Sequence, residues 1–356
     1  MFPSINQLLQ EGASVASAPC RVDFGGTLDI RSVHYPLRRY HPCTFNIAIG
    51  LRTRVVLLPC AMGEIRVESR GFKPAVFPSS GADLSHPQGL FAAIALFWGA
   101  DGVLIRIDSA SPPRSALGGS SAAAVAVMAA FCQLAERQGQ KPYHPREIVR
   151  LAHAVEESVA GVPCGLQDQL AAAYGGVNLW IWQDGIRLPE YRRQVMIPVR
   201  RAVKLTRNML LAYCGAPHES KAVNGTWIRQ FLSGRFHGHW IKIIQLTRQF
   251  ASAVAIGDVP SAVYLMRKEV DIRLEMTPEV LDPVGRQLVE ASATCNCGAR
   301  FTGAGAGGCL WAYGKEGDIE RLRKKWQDIL SDVPDGALLP VEIDVQGLHC
   351  TWLAHG

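Results

Sequence analysis

The sequence predicts an α+β protein built in two halves. Strand-like and helix-like runs mix along the chain without the regular alternation of a parallel βα repeat, and no internal repeat is present. At 356 residues, 48% hydrophobic and 19% charged, the chain has enough apolar material for about two cores. A boundary near residue 195 divides it into an expected N-terminal nucleotide- and phosphate-binding domain, 1–195, and a C-terminal domain, 196–356.

Residues 43–58 read as two strand-like runs, and 103–108 as a strand delivering the chain to the Pro112-Pro113 turn. A helix is expected over 121–137, a second over 145–159 and a short apolar one over 170–174, after which strand character resumes over 175–182. Beyond residue 195 come a strand at 209–213, three helical patterns between His218 and Ala291, a strand at 310–313, a helix over 318–330 and a strand over 338–345.

Composition excludes several classes. The net charge of +6 is spread along the chain, and no basic stripe is interleaved with aromatics, so an anionic small molecule is a better partner than nucleic acid. The ten cysteines form no CxxC pair and several sit inside apolar runs, the pattern of free thiols in a reducing compartment. Cys295 and Cys297 lack the spacing and partners of a metal site. The start, MFPSINQLLQEGASVAS, has neither a basic leader nor an apolar core, and no uninterrupted run of about 18 apolar residues occurs. A cytoplasmic protein without a membrane span is expected.

Three clusters carry chemistry. In the first, Leu117, Gly118, Gly119, Ser120 and Ser121 run straight into an alanine-rich helix. Glycine permits a tight turn, the unpaired N–H groups of the helix start face one way, and the positive end of the helix dipole favours an anion. The two hydroxyls can bind a phosphate oxygen or a divalent cation. A Ser-capped helix after a glycine turn is the plain alternative.

The second cluster is the segment HPREIVRLAHAVEESVAGVPCGLQDQ. Ile148, Leu151, Ala152, Val155 and Val159 form one helix face. At about 100° per residue Glu157 falls opposite that stripe, whereas Glu156 sits about 85° from its centre, at an edge from which a carboxylate can reach a site between elements. Asp168 follows Gly165 in a loop before the 170–174 helix, where helix capping is its alternative role.

The third cluster is Phe301-Thr302-Gly303-Ala304-Gly305-Ala306-Gly307-Gly308. A dinucleotide fingerprint needs a strand before the glycines and a helix after them, and here a strand follows. A glycine-rich loop packed against another backbone, the phosphate cradle among the candidates, explains the composition better.

With these clusters in view the chain resembles the GHMP kinase superfamily, which includes galactokinase, homoserine kinase, mevalonate kinase and phosphomevalonate kinase. The segment from Ala18 to Asp29, APCRVDFGGTLD, is similar to the family's first motif, the cradle to its second and GAGAGG to its third, with Arg300 where relatives often carry Lys. Within the superfamily the likeness is greatest to D-glycero-D-manno-heptose 7-phosphate kinases, on the LGGSSA loop, the run from Gln167 to Asn178 and the ungapped GAGAGG loop. Departures are the absence of galactokinase's Glu-His-x-Asp, a segment from Arg21 to Asp29 one residue shorter, and Ala116 in place of the usual Gly.

The resemblance implies a two-domain α+β fold, with an N-terminal half like domain 2 of ribosomal protein S5 and a ferredoxin-like C-terminal half. It further implies an ATP- and Mg²⁺-dependent sugar kinase. Asp168 would be the catalytic base with Arg21 beside it, and Ser121 and Glu156 would hold Mg²⁺. Leu117, Gly118, Gly119, Ser120, Ser121, Gly303, Ala304, Gly305 and Gly307 would bind ATP, and Gly26, Thr27, Asp29, Gly165 and Gln167 the sugar or sugar phosphate. Arg38, Arg39 and His41 form a basic cluster able to meet a distal phosphate, with a solvated loop as the alternative. Two other functions stay open: a galactokinase- or fucokinase-like sugar 1-kinase, and a catalytically silent sugar sensor on the same fold.

Overall fold

The computed structural model describes residues 3–183, 190–217 and 220–355. Met1, Phe2 and His218, which open the N-terminal stretch and the first predicted helix of the second half, lie outside the described residues.

The first half opens with α1 (Ile5–Glu11), β1 (Gly12–Phe24), α2 (Arg31–His34), β2 (Cys43–Pro59), β3 (Glu64–Ser69), β4 (Ala75–Pro78), α3 (Gly89–Phe97) and β5 (Val103–Ser109). It continues with α4 (Gly119–Arg137), α5 (Pro145–Ala160), α6 (Gln167–Tyr174), β6 (Val177–Trp182) and β7 (Tyr191–Ile197). The two runs expected over 43–58 are a single strand. Its first seven residues are all buried, and from Gly50 burial alternates, with Leu51, Thr53, Val55 and Leu57 inward, so Gly50 is accommodated within the strand instead of ending it. Its far half pairs with β5 and its near half with β6, so the sheet branches at β2.

Beside β2 lies β1, whose register shifts between Pro19 and Cys20, one residue before Arg21. Such a bulge bends the strand and re-aims the side chains that follow. The main-chain N–H of Arg21 donates to Leu117 O at 3.0 Å, tying the bulged strand to the phosphate loop.

Small side chains place α4 at the centre. From Ser121 to Cys132 it is buried throughout, against β1, β2, α5 and α6. By length and composition α4 could cross a membrane, contrary to the expectation from uninterrupted runs, yet 78% of that window is inside the protein. It is a core helix.

The second half comprises α7 (Val199–Leu205), β8 (Met209–Tyr213), α8 (Ser220–Leu232), α9 (His237–Ile256), α10 (Val259–Met276), α11 (Pro283–Thr294), β9 (Gly298–Phe301), β10 (Cys309–Tyr313), α12 (Glu316–Ser331), β11 (Ala337–Leu339) and β12 (His349–Ala354). Where three helical patterns were expected after residue 218, four helices stand, because Pro260 and Pro283 start new ones behind the Asp258 and Asp282 caps. The strand expected over 338–345 stops at Leu339: Pro340 offers no N–H to the ladder. The order β11-β8-β10-β9, antiparallel throughout, is that of two split βαβ units, the ferredoxin-like arrangement. The α+β fold class holds in both halves.

The two halves interlock. Leu28, Ile30, Val33 and Leu37, from the first half, are buried in the second hydrophobic core with Trp227 and Trp240, while Phe250 of α9 lies in the first core. At the far end of the chain β12 returns to pair with β1, from Gly12 opposite Ala354 to Ser17 opposite His349. The segment carrying Asp29 is thereby clamped where the cores meet.

Candidate active site

The phosphate loop is built as a cradle. Gly118 takes a left-handed conformation (φ 73°) and α4 starts at Gly119 with no side chain capping it, so the first N–H groups of a 19-residue helix are left for a ligand. A Cβ on Gly118 would lie 3.2 Å from the Asp168 carboxylate, so glycine is required by the turn and by the neighbour. Ala116, in place of the usual glycine, also holds a left-handed backbone (φ 60°). Ser120 is exposed, whereas Ser121 is buried and points inward.

Arg21 and Asp168 meet. Arg21 Nε donates to Asp168 Oδ1 at 2.7 Å and Nη2 to Oδ2 at 3.0 Å, while Nη1 donates to Ala116 O at 2.6 Å. This bidentate, charge-assisted pair fixes the carboxylate plane. Although Arg21 is buried, which alone would disfavour its charge, Asp168 and then Asp23 hold its pKa above the ordinary value. Asp168 stands in the first turn of α6, not in a loop before it. It does not cap that helix either, because α6 starts at Gln167 behind Leu166 with no side-chain cap.

Glu156 and Glu157 part company as the helix geometry predicted. Glu157 is exposed and accepts from Cys164 N at 3.2 Å. Glu156 is half-buried, accepting from Ser121 Oγ at 3.0 Å and from Gln169 Nε2 at 2.7 Å. Burial pushes its pKa up, against the lowering effect of those two donors, so a cation beside it would find a ready partner. A hydroxyl and a carboxylate oxygen side by side are hard donors suited to Mg²⁺.

Asp29 lies buried near Asp168, accepting from Gln167 N at 3.2 Å. Its pKa is raised from the ordinary 3.8 to about 6, first by burial and then by the Asp168 charge. A Cβ on Gly165 would overlap the Asp29 carboxylate, which explains the glycine. Gln167 Oε1 is buried without a partner, and the Nε2 of the same side chain lies beside Gly26. Thr27, at φ 73°, donates to Asn224 Oδ1 at 2.9 Å.

The glycine-rich loop is the turn of the β9–β10 hairpin. A strand does precede its glycines, which the sequence did not reveal, but an antiparallel strand instead of a helix follows. The loop packs on the cradle: Cys309 N donates to Ser115 O at 2.9 Å, and a Cβ on Gly308 would lie 2.8 Å from that carbonyl. Gly303 likewise abuts Ala116 and Arg21. Ala304 is buried in the second core, Gly305 abuts Val280 O and Phe301, and Gly307 abuts Ala216 and Pro217, so these three meet other partners than the cradle. Arg38, Arg39 and Tyr40 form an exposed turn in which Arg38 stacks on Tyr35.

Residues 87–176, from just ahead of α3 to the turn after α6, match the family model described as GHMP kinases N terminal domain. The structure of a D-glycero-D-manno-heptose 1-phosphate kinase from Bacteriodes thetaiotaomicron superposes with a TM-score of 0.73 at 19% identity, covering 95% of this chain and 98% of that one. The chain has the GHMP kinase fold. Lactococcus lactis galactokinase, solved with galactose, shares that fold at a TM-score of 0.70 and 18% identity, with 95% of each chain covered. In sequence, the Arabidopsis thaliana protein named probable glucuronokinase 2 is 25% identical over 208 residues, 56% of this chain and 54% of that protein. The chain therefore spans about half the length of that relative.

Sequence reasoning missed three residues at this candidate site. Gln169 bridges Glu156 and, at 3.4 Å, Ser121; it lies one residue beyond Asp168 but carries no charge to draw attention. Asn224 belongs to a helix of the second half. Asp23 is two positions from Arg21 on one strand and hence on the same face, a spacing that could have flagged it.

Proposed function

We propose that this protein transfers the γ-phosphate of ATP to a hydroxyl of a sugar or sugar phosphate, and that the acceptor is the anomeric hydroxyl of D-glycero-D-manno-heptose 7-phosphate. One observation carries the reading: a carboxylate held bidentately by a buried arginine stands against the open N-terminus of a glycine-led helix. Phosphoryl transfer asks a protein for placement and charge neutralisation more than for covalent chemistry, and these groups supply both.

The N–H groups of the cradle would hold the β- and γ-phosphates. Bound Mg²⁺ supplies charge neutralisation across those phosphates, and Ser121 and Glu156 would hold it. Asp168 would orient the acceptor hydroxyl and take its proton at a carboxylate oxygen. Arg21 keeps that carboxylate in plane, and its guanidinium adjoins Gly303 of the glycine loop. Asp29, with Gln167 and the backbone around Gly26 and Thr27, would receive the sugar hydroxyls. The kinases named above, one for a heptose phosphate and one for galactose, support a sugar as acceptor.

A panel of sugars and sugar phosphates assayed for ADP release tests the proposal. Stimulation by the heptose 7-phosphate above all others is the expected result. Preference for galactose or fucose would move the assignment to a sugar 1-kinase, and no stimulation by any member would leave the silent sugar sensor.

A further inference from the structure

A chain of buried ion pairs runs from the second half of the molecule to Asp168. Glu269 on α10 accepts from Arg273 Nε and from Arg300 Nε, each at 2.8 Å. Arg300 Nη1 reaches Asp23 O at 3.2 Å and Asp23 Oδ2 at 3.4 Å. Asp23 Oδ1 accepts from Gly303 N at 2.7 Å and lies 3.5 Å from Arg21 Nη1, and Arg21 holds Asp168. Three cations and three anions balance, and the side chains of Asp23, Glu269, Arg273 and Arg300 are wholly buried. Burial alone would raise the Glu269 pKa, but Arg300 and Arg273 together outweigh it and hold it low.

Buried ion pairs contribute little net stability, since apolar residues of similar volume pack about as well. Here the network ends on the group that orients the proposed base. Both Asp23 oxygens are engaged, one toward Arg21 and the glycine loop and the other toward Arg300, so its carboxylate has no free rotation.

We infer that Asp23 is a positioning residue for phosphoryl transfer: it fixes the Arg21 guanidinium that aims Asp168, and through Gly303 it fixes the glycine loop against the phosphate cradle. Arg300 carries the opposing charge that lets Asp23 do this while buried, and Glu269 holds Arg300 in place. The inference rests on the kinase reading of the site.

Asp23→Asn keeps the shape and removes the charge. The expected result is a kcat lower by about 10- to 100-fold with the KM for ATP within about threefold, because a misaimed base slows the chemical step while the cradle still binds nucleotide. Hydrogen exchange of the Arg21 Nε–H, assigned in ¹⁵N spectra with Arg21→Lys, should quicken. The single variant leaves one positive charge in excess, so the charge-balanced pair Asp23→Asn/Arg300→Gln covers a failure to fold. It should melt close to wild type and still show the kcat loss and the faster exchange. Wild-type kcat and exchange in either variant overturn the inference, as does a kcat regained in the balanced pair, which would make the role purely structural. A wild-type protein that phosphorylates no acceptor defeats the kinase reading instead, and the Arg21 exchange rate still decides whether Asp23 holds the guanidinium.

Discussion

Asp29→Asn should stabilise the folded protein at neutral pH while weakening acceptor binding. The carboxyl is buried beside Asp168, and its pKa moves from 3.8 in the unfolded chain to about 6 in the fold. A raised pKa means the folded state prefers the proton: the contribution to stability is complete below pH 3.8 and lost as pH rises through about 6. A shift of roughly two pH units corresponds to about 3 kcal/mol of penalty above pH 7. Spread over the unfolding entropy of a chain of this length, that is a gain of about 4 °C in Tm for the Asn variant at pH 8, shrinking toward zero near pH 4. The Asn carbonyl can still accept from Gln167 N, so the substitution is close to isosteric. Scanning calorimetry of both proteins from pH 4 to pH 8, with acceptor KM measured at pH 8, is the assay. A Tm difference that stays constant across that range refutes the burial argument.

Asp168→Asn should lower turnover by about 10² or more while leaving nucleotide affinity near wild type, because the cradle is untouched; turnover and nucleotide binding measured side by side decide it. Glu156→Gln should raise the Mg²⁺ concentration needed for half-maximal rate, whereas Glu157→Gln, on the exposed side of α5, should leave it unchanged; equal effects would contradict the geometry around Ser121. Gly165→Ala should displace the Asp29 carboxylate and raise the acceptor KM by about tenfold without moving the KM for ATP, so a proportional rise in both would point to a general loss of folding.

Much of this could be read from the chain, and the remainder depended on contacts distant in sequence. The helices α4 and α5 and the strands β5 and β8 announce themselves by local pattern, and so did the different exposures of Glu156 and Glu157. By contrast β1 is buried on nearly both faces and rich in small residues, so it shows neither alternation nor the branched side chains typical of strands. Exposed β12 is a strand because β1 lies beside it, and nothing in HCTWLA requires that. At the site, the cradle was legible because glycines before a helix have a chemical reason, whereas the Arg21–Asp168 pair was legible only through the family resemblance. Gln169 and Asn224 were not, since a neutral amide has no signature until its partner is in place. The first turn of α6 was misplaced for a similar reason: Leu166, the residue before the helix, has no capping side chain to mark where it starts.

The pairing of β12 with β1 sets an order on the protein's birth. On the ribosome β1 emerges long before the strand that covers its edge, at 349–354, so the first sheet waits with an open flank until the second half has been synthesised. Joining segments so far apart carries the loop-closure entropy of almost the whole chain, which makes this docking a late, slow step. Until it occurs the unpaired edge of β1 is available to other nascent strands. A truncation just before His349 should therefore leave a protein whose native contacts at the phosphate loop are intact but which depends on a chaperone to stay dispersed.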